Sequence, residues 1–324
     1  MKSEMIRASL LVVAMIVLGG VLNFRTGRVL GISSQNLVIE PIKDVFGFAR
    51  LLWNLNEKDS DPVVLVAVGD VMLGRSVNGK MVVKNDWTYP FLEVGSMLRE
   101  ADVTFGNLES PFGESCSVVS GGMVFCADQR SVAGLVWSGF DVMSLENNHN
   151  TNQGRLGLEL SEKLLEEKKI LGVVEGEIEV VEQEGLKLGF LAVDDVSRRV
   201  DEGALVKLIE DAEKVVDVVV VSVHWGWEYR AIANERQVRL GRKMVDSGAD
   251  LVLGHHPHWV QNVENYGGGV IVYSLGNFVF DQMWSEETRR GVVGRFELSE
   301  EGVGDYRFEK VRIYEYSQPR FEEW

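Results

Sequence analysis

Residues 63–75 read VVLVAVGDVMLGR, and this stretch decides the fold. Val63 to Val68 form a short continuous apolar run, mostly β-branched, of the kind that fills a strand buried on both faces. The run stops at Gly69-Asp70, so a carboxylate follows directly on a buried strand. The same succession recurs down the chain. VTF (103–105) leads into Gly106-Asn107-Leu108-Glu109, and DVMSL (141–145) precedes Asn147-Asn148-His149. VVVVSV (218–223) ends at His224, and DLVL (250–253) ends at Gly254-His255-His256-Pro257-His258. Between these runs lie helical patterns at 155–169 (Leu156, Leu160 and Leu164 on one face), 203–216 and 234–247. Strands are expected at 63–68, 102–105, 140–145, 187–193, 217–223, 250–253 and 270–273. Two alternating, half-exposed strands are expected near 292–298 and 306–314. Strands alternating with helices predict an α/β domain over residues 62–324.

Composition narrows the class. The 324-residue chain is 45% hydrophobic and 25% charged, which supports a sizeable core and excludes a disordered chain. Its formal charge of -16 excludes a protein that tracks a phosphate backbone, because nucleic-acid binding needs clustered Lys and Arg to displace counterions. Any anionic polymer would need a local basic patch or a metal.

Ala8 to Phe24 (ASLLVVAMIVLGGVLNF) holds no ionisable side chain and follows Lys2 and Arg7. Its length falls between a spanning helix and a secretory signal. With no small-x-small cleavage site after it, residues 1–28 are expected to be an uncleaved single-pass membrane helix. Residues 29–61 then form a linker with an amphipathic stretch, Pro41 to Leu55. Cys116 and Cys126, the two cysteines of the chain, stand ten apart around Gly121-Gly122. They are expected to form a disulfide, which would place the domain on the extracytoplasmic side of the cell membrane.

All five histidines follow strand candidates. In open α/β sheets ligands bind beyond the carboxyl ends of strands, so these clusters are expected to converge on one centre. Carboxylate and amide oxygens from Asp70, Glu109 and Asn148, with imidazoles from His224, His256 and His258, make a mixed ligand set. Imidazole suits Zn and Fe, and carboxylate suits Mg and Mn, so one or two ions of Mn, Fe or Zn are expected. Such ions polarise a phosphoryl oxygen and activate bound water. Each cluster alone has a structural alternative: Asp70 in a turn, Asn147-Asn148 as an Asx turn, His224 as a core histidine. Their concurrence is what points to a metal.

GDVMLGR (69–75), GNLESPF (106–112), NNHNTNQG (147–154), HWGWEY (224–229), GADLVLGHHPHWVQ (248–261) and YSLGNFVFD (273–281) together resemble the motifs of the CapA family, poly-γ-glutamate capsule synthesis proteins. That family is similar to calcineurin-like metallophosphoesterases, which implies a four-layer α/β/β/α sandwich. The resemblance implies Asp70 as a ligand that also serves catalysis, Asn148 at a second ion, and His149 as general acid. It leaves Arg75, Asn107 and His255 as candidate substrate contacts. Glu228 and Gln261 would orient imidazoles. Trp225, Trp227 and Trp259 would either pack in the core or form a stacking wall. Two positions depart from the pattern: Met72 stands where phosphoesterases carry a ligand histidine, and Asn152 where the family commonly has an aspartate.

Two readings of function follow. One is a metal-dependent phosphoester hydrolase in cell-envelope polymer metabolism, the same centre also being able to support amide-bond chemistry on polyglutamate. The other is a non-catalytic membrane subunit that binds an anionic polymer within a membrane-bound synthesis complex, which Met72 and Asn152 favour.

Overall fold

The computed structural model describes residues 61–323. The expected membrane segment and the amphipathic stretch 41–55 lie outside the described residues. Among the described residues no helix is long and apolar enough to cross a membrane.

In chain order, β1 (Val63–Val71) leads into α1 (Arg75–Lys84) and the short α2 (Gly95–Leu98). Next come β2 (Val103–Leu108) and a small pair, β3 (Phe112–Gly113) and β4 (Ala127–Asp128). After these are α3 (Val132–Ser138), β5 (Val142–Ser144), α4 (Gly154–Glu167) and β6 (Leu171–Val173). Then follow β7 (Glu179–Gln183), β8 (Leu186–Asp194), α5 (Glu202–Glu213), β9 (Val218–His224), α6 (Glu235–Asp246) and β10 (Leu251–His255). The chain ends through β11 (Val263–Tyr266), β12 (Gly269–Val272), β13 (Asn277–Val279), β14 (Arg290–Ser299), β15 (Gly302–Tyr314) and β16 (Gln318–Phe321).

Two sheets carry the domain. The first runs β16-β15-β14-β1-β2-β5-β6, with β13 added to the end of β1. The second runs β11-β12-β10-β9-β8-β7. The central strands β1, β2, β5 and β6 are parallel to one another, as are β8, β9, β10 and β12.

The period-two alternation of β-branched residues explains the packing. Leu65 and Ala67 of β1, Phe105 of β2, Phe190 of β8, Val220 of β9 and Leu253 of β10 share one apolar cluster between the sheets. The intervening residues Val66 and Val68 point the other way, onto Val77, Met81, Leu135 and Leu165 of α1, α3 and α4. On the second sheet Val219, Val221 and Val223 pack against Leu205, Ile209, Leu240 and Met244 of α5 and α6. Each fully buried Leu, Val or Phe contributes roughly 1.5–3 kcal/mol, so both faces of both sheets must be covered for the strands to persist. Helix starts are fixed locally: Asp201 caps α5, and Asn234 with Gln237 forms a capping box on α6.

The α/β class read from the sequence holds. The strands run further than their apolar cores suggested. β1 continues through Gly69-Asp70, β9 takes in His224, and β10 takes in His255. The ladder therefore positions the polar residues directly, pairing Asp70 with Asn107 across β1 and β2 and His224 with His255 across β9 and β10.

Candidate metal centre

The site forms where β1, β2, β9 and β10 end, so both sheets contribute to it. Two glycines allow this crowding. A Cβ on Gly69 would stand 1.9 Å from the Gly276 carbonyl oxygen, and one on Gly254 would stand 2.1 Å from that of Tyr273. Glycine just before Asp70 and His255 thus lets neighbouring backbones close onto the site. The loops that follow are strained: His256, His258 and Tyr229 hold φ angles of 92°, 57° and 60°. Left-handed backbone at non-glycine residues costs free energy and clusters at sites whose geometry the fold over-determines.

Six side chains offer ligand atoms in two adjoining trios. Asp70, Glu109 and His224 have one such atom each within 4.8 Å of one another, and so do Glu228, His256 and His258. Asp70 joins the trios, because its Oδ2 lies 3.1 Å from His258 Nδ1. His224 and His256 bring their ring centroids to 4.8 Å. Glu109 Oε1 lies 3.7 Å from His258 Nε2 and 4.0 Å from His149 Nε2.

Electrostatics makes this cluster costly without a cation. Burial pushes the Glu109 carboxyl well above the usual carboxylate range, reinforced by the neighbouring Asp70 charge. Burial also acts to raise Asp70, but hydrogen bonds and charge from His255 and His258 hold it well below. Burial lowers the His224 imidazole strongly and takes His256 down to about 3. His224 and His256 are thus neutral donors of lone pairs, as metal ligation requires. Both Glu109 oxygens and His256 Nδ1 are buried with no hydrogen-bond partner among the described residues. An orphaned buried carboxylate is expensive, and a divalent cation satisfies it while reversing the repulsion from Asp70. The residues present therefore fit the expected metal.

The structure gathers Asp70, Glu109, His224, His256 and His258 as one group and refines the other roles. Asn148 Oδ1 reaches His224 Nε2 at 3.0 Å. Asn107 and His255, expected at the substrate, are both fully buried against Asp70. Asn107 Nδ2 donates to Asp70 Oδ1 at 2.9 Å, and His255 Nδ1 lies 3.2 Å from the same oxygen. Both stand where they support that carboxylate, and His255 Nε2 is buried with no hydrogen-bond partner among the described residues. Arg75 is ion-paired with Asp281 and largely buried. Gln261 bonds Gln237 and the Arg230 carbonyl instead of an imidazole. Trp225 is a core residue whose indole donates to the Tyr273 carbonyl, whereas Trp227 is exposed.

Sequence reading missed three participants. Glu228 was expected only to orient an imidazole, yet it completes the second trio. Asn277 Oδ1 meets His258 Nδ1 at 2.9 Å, and its Nδ2 donates to the Thr288 carbonyl at 2.8 Å, which fixes the amide. Tyr229 lies 6.0 Å from the His258 ring, its phenol pushed up to about 12 by burial and by Glu228. The signal for Asn277 was its place after a buried strand-like run, YSLG, the same pattern that exposed Asp70.

Fold and site together define an α/β protein with a buried cluster of carboxylates and imidazoles at the carboxyl ends of two sheets. The chain belongs to the bacterial capsule synthesis protein family PGA_cap, whose model matches residues 64–282. It is 32% identical over 280 residues to the PGA biosynthesis protein CapA of Bacillus subtilis, covering 79% of this chain and 73% of that one. It is 30% identical over 277 residues to the capsule biosynthesis protein CapA of Bacillus anthracis, covering 77% and 67%. Among solved structures, a hypothetical protein from Thermus thermophilus superposes with a TM-score of 0.53 at 18% identity. That match covers 76% of this chain and 98% of the other, and supports the fold.

Proposed function

We propose that this chain is a metal-dependent hydrolase of phosphoesters or related bonds, acting in the synthesis of a capsule polymer, on a metallophosphoesterase-like α/β/β/α sandwich. The observation that carries the reading is the pair of adjoining trios around Asp70. Asp70, Glu109 and His224 would hold one ion, and Glu228, His256 and His258 a second, Mn, Fe or Zn being suited to this donor set. A divalent cation there supplies Lewis-acid polarisation of the substrate oxygen. The protein supplies the rest. Asn107, His255 and Asn277 hold Asp70 and His258 in place, and the buried walls exclude water. His149, whose imidazole is lowered chiefly by burial, would present Nε2 as a base that takes a proton from the attacking water and, as its acid, gives it to the leaving-group oxygen.

The chain would be anchored in the cell membrane by the segment Ala8 to Phe24, with the domain outside. The Cys116–Cys126 disulfide supports an oxidising compartment. The substrate would be a phosphoester or an anionic polymer, presented within a membrane-bound synthesis complex. A second reading, a non-catalytic polymer-binding subunit, is favoured by Met72. Its side chain is fully buried in the core, so it gives the first trio no further ligand.

Metal analysis of the purified chain, then p-nitrophenyl phosphate and polyglutamate assays on wild type and His256→Ala, separates these readings. Metal and turnover in wild type, both lost in the variant, are expected. Metal without turnover selects the binding role, and equal metal in both proteins refutes the centre.

A further inference from the structure

What fixes His149 lies outside the ligand cluster, on the loop between β3 and β4. Residues 115–127 (SCSVVSGGMVFCA) carry no Asp, Glu, Lys or Arg. The Cys116–Cys126 disulfide closes most of them into a loop, with Cα atoms 5.5 Å apart. Where the loop closes, Phe125 is buried and stacks on His149, the ring centroids 3.9 Å apart. On the same ring sits the Arg75 guanidinium, 4.6 Å from the centroid, while Arg75 Nη1 donates to the Gly122 carbonyl at 2.9 Å. The Phe125 backbone is gripped from the turn just before α4: its N–H donates to Asn152 Oδ1 at 2.7 Å, and its carbonyl accepts from Gln153 Nε2 at 2.8 Å.

These contacts settle a proton. A backbone N–H only donates, so the Asn152 atom that faces Phe125 must be the amide oxygen, and the amide cannot turn over. The same oxygen lies 2.9 Å from His149 Nδ1, which must therefore carry the hydrogen. Nε2 is left with its lone pair, on the side of Glu109.

We propose that the disulfide-closed loop, acting through Phe125, is the positioning element of the site: it locks the Asn152 amide, and through it the tautomer of His149, while holding Arg75 against the same wall. Phe125 is a positioning residue, not a catalytic one. With the loop open, Asn152 can turn its NH2 toward His149 and the imidazole exchanges tautomers, so Nε2 carries the hydrogen part of the time. The proposal rests on the catalytic reading only for its effect on rate.

The test uses the full chain, comparing wild type, the double variant Cys116→Ser/Cys126→Ser, Phe125→Pro, which removes the backbone donor to Asn152, and Phe125→Tyr. Imidazole nitrogen NMR reads the His149 tautomer directly, with metal content and thermal melting as controls. Wild type and Phe125→Tyr are expected to show a single Nδ1–H form, and the other two a mixture. Turnover of p-nitrophenyl phosphate should fall about tenfold in those two, a fraction of the usual general acid–base contribution, with metal content unchanged. Should the double variant fail to fold, Phe125→Pro, which keeps the disulfide but has no N–H to hold the Asn152 oxygen, carries the comparison. A pure Nδ1–H signature in the folded variants overturns the proposal. Absence of turnover in wild type counts against the catalytic reading alone, because the tautomer is read without it.

Discussion

His258 Nδ1 stands 3.1 Å from a carboxylate oxygen of Asp70, a contact made across 188 residues of chain. It joins strand β1 of one sheet to the loop after β10 of the other, and it is where the two ligand trios meet. Asn277 braces it, accepting from the same nitrogen at 2.9 Å. With Nδ1–H committed to two oxygens, Nε2 is free to ligate. Asn277→Ala removes one acceptor and lets the ring rotate. Metal affinity is expected to fall roughly tenfold to a hundredfold, the usual effect of losing an outer partner of a ligating histidine. Calorimetric titration with Mn or Zn reads this, and an unchanged Kd would show that Asn277 does not orient the ring.

Glu109 sets the pH dependence of loading. Burial and Asp70 raise its pKa well above the usual carboxylate range, so the metal-free protein holds a proton there that a cation must displace. Metal affinity is expected to climb with pH through the raised Glu109 pKa, and binding to release protons to buffer. In Glu109→Gln no carboxyl proton remains to be displaced, so the slope should flatten while affinity falls at high pH. An equally steep slope in the variant would move the linked proton to another group.

His256 contributes to acid sensitivity. Its pKa is lowered to about 3 in the fold, chiefly by burial, from an ordinary value of 6.5. Between these values the unfolded chain takes up a proton that the folded chain refuses, so stability falls as pH drops from 6.5 toward 3. Above pH 6.5 neither state is protonated there and the effect vanishes. Urea denaturation of the metal-free chain should show a shallower loss between pH 6.5 and about 4 in His256→Gln than in wild type. Identical slopes would mean that the imidazole is solvated in the folded state.

Much of the site was legible because the ligands sit at the ends of runs such as VVLVAV and VVVVSV, where periodicity marks the strand and polarity marks its end. What the sequence hid has physical reasons. Glu228 lies beyond a glycine with positive φ, Gly226, so its distance from strand β9 says little about where its carboxylate points. Asn107 and His255 read as substrate contacts because residue type carries no burial. Only the ladder, which pairs Asp70 with Asn107 and His224 with His255, shows that they support neighbours. Helix α1 escaped notice because its apolar residues lack a clear stripe, and it is held instead by Val77 and Met81 against the first sheet.

Gly69 tests whether that ladder holds the site together. Its missing side chain lets the Gly276 carbonyl approach, and that same carbonyl accepts the Asp70 backbone N–H at 3.0 Å. In Gly69→Ala the new methyl would meet backbone, which cannot swing aside as a side chain can. β1 and the segment before β13 must then separate, taking Asp70 away from Asn277 and His258. The expected cost is roughly 1–3 kcal/mol in urea denaturation, typical of overpacking, with a parallel loss of metal affinity. Gly121→Ala, on the exposed loop where nothing lies within 4 Å of the added carbon, is the control and should stay within about 0.5 kcal/mol of wild type. If Gly69→Ala matched its control in both stability and metal binding, the close approach of these backbones would not be what places Asp70.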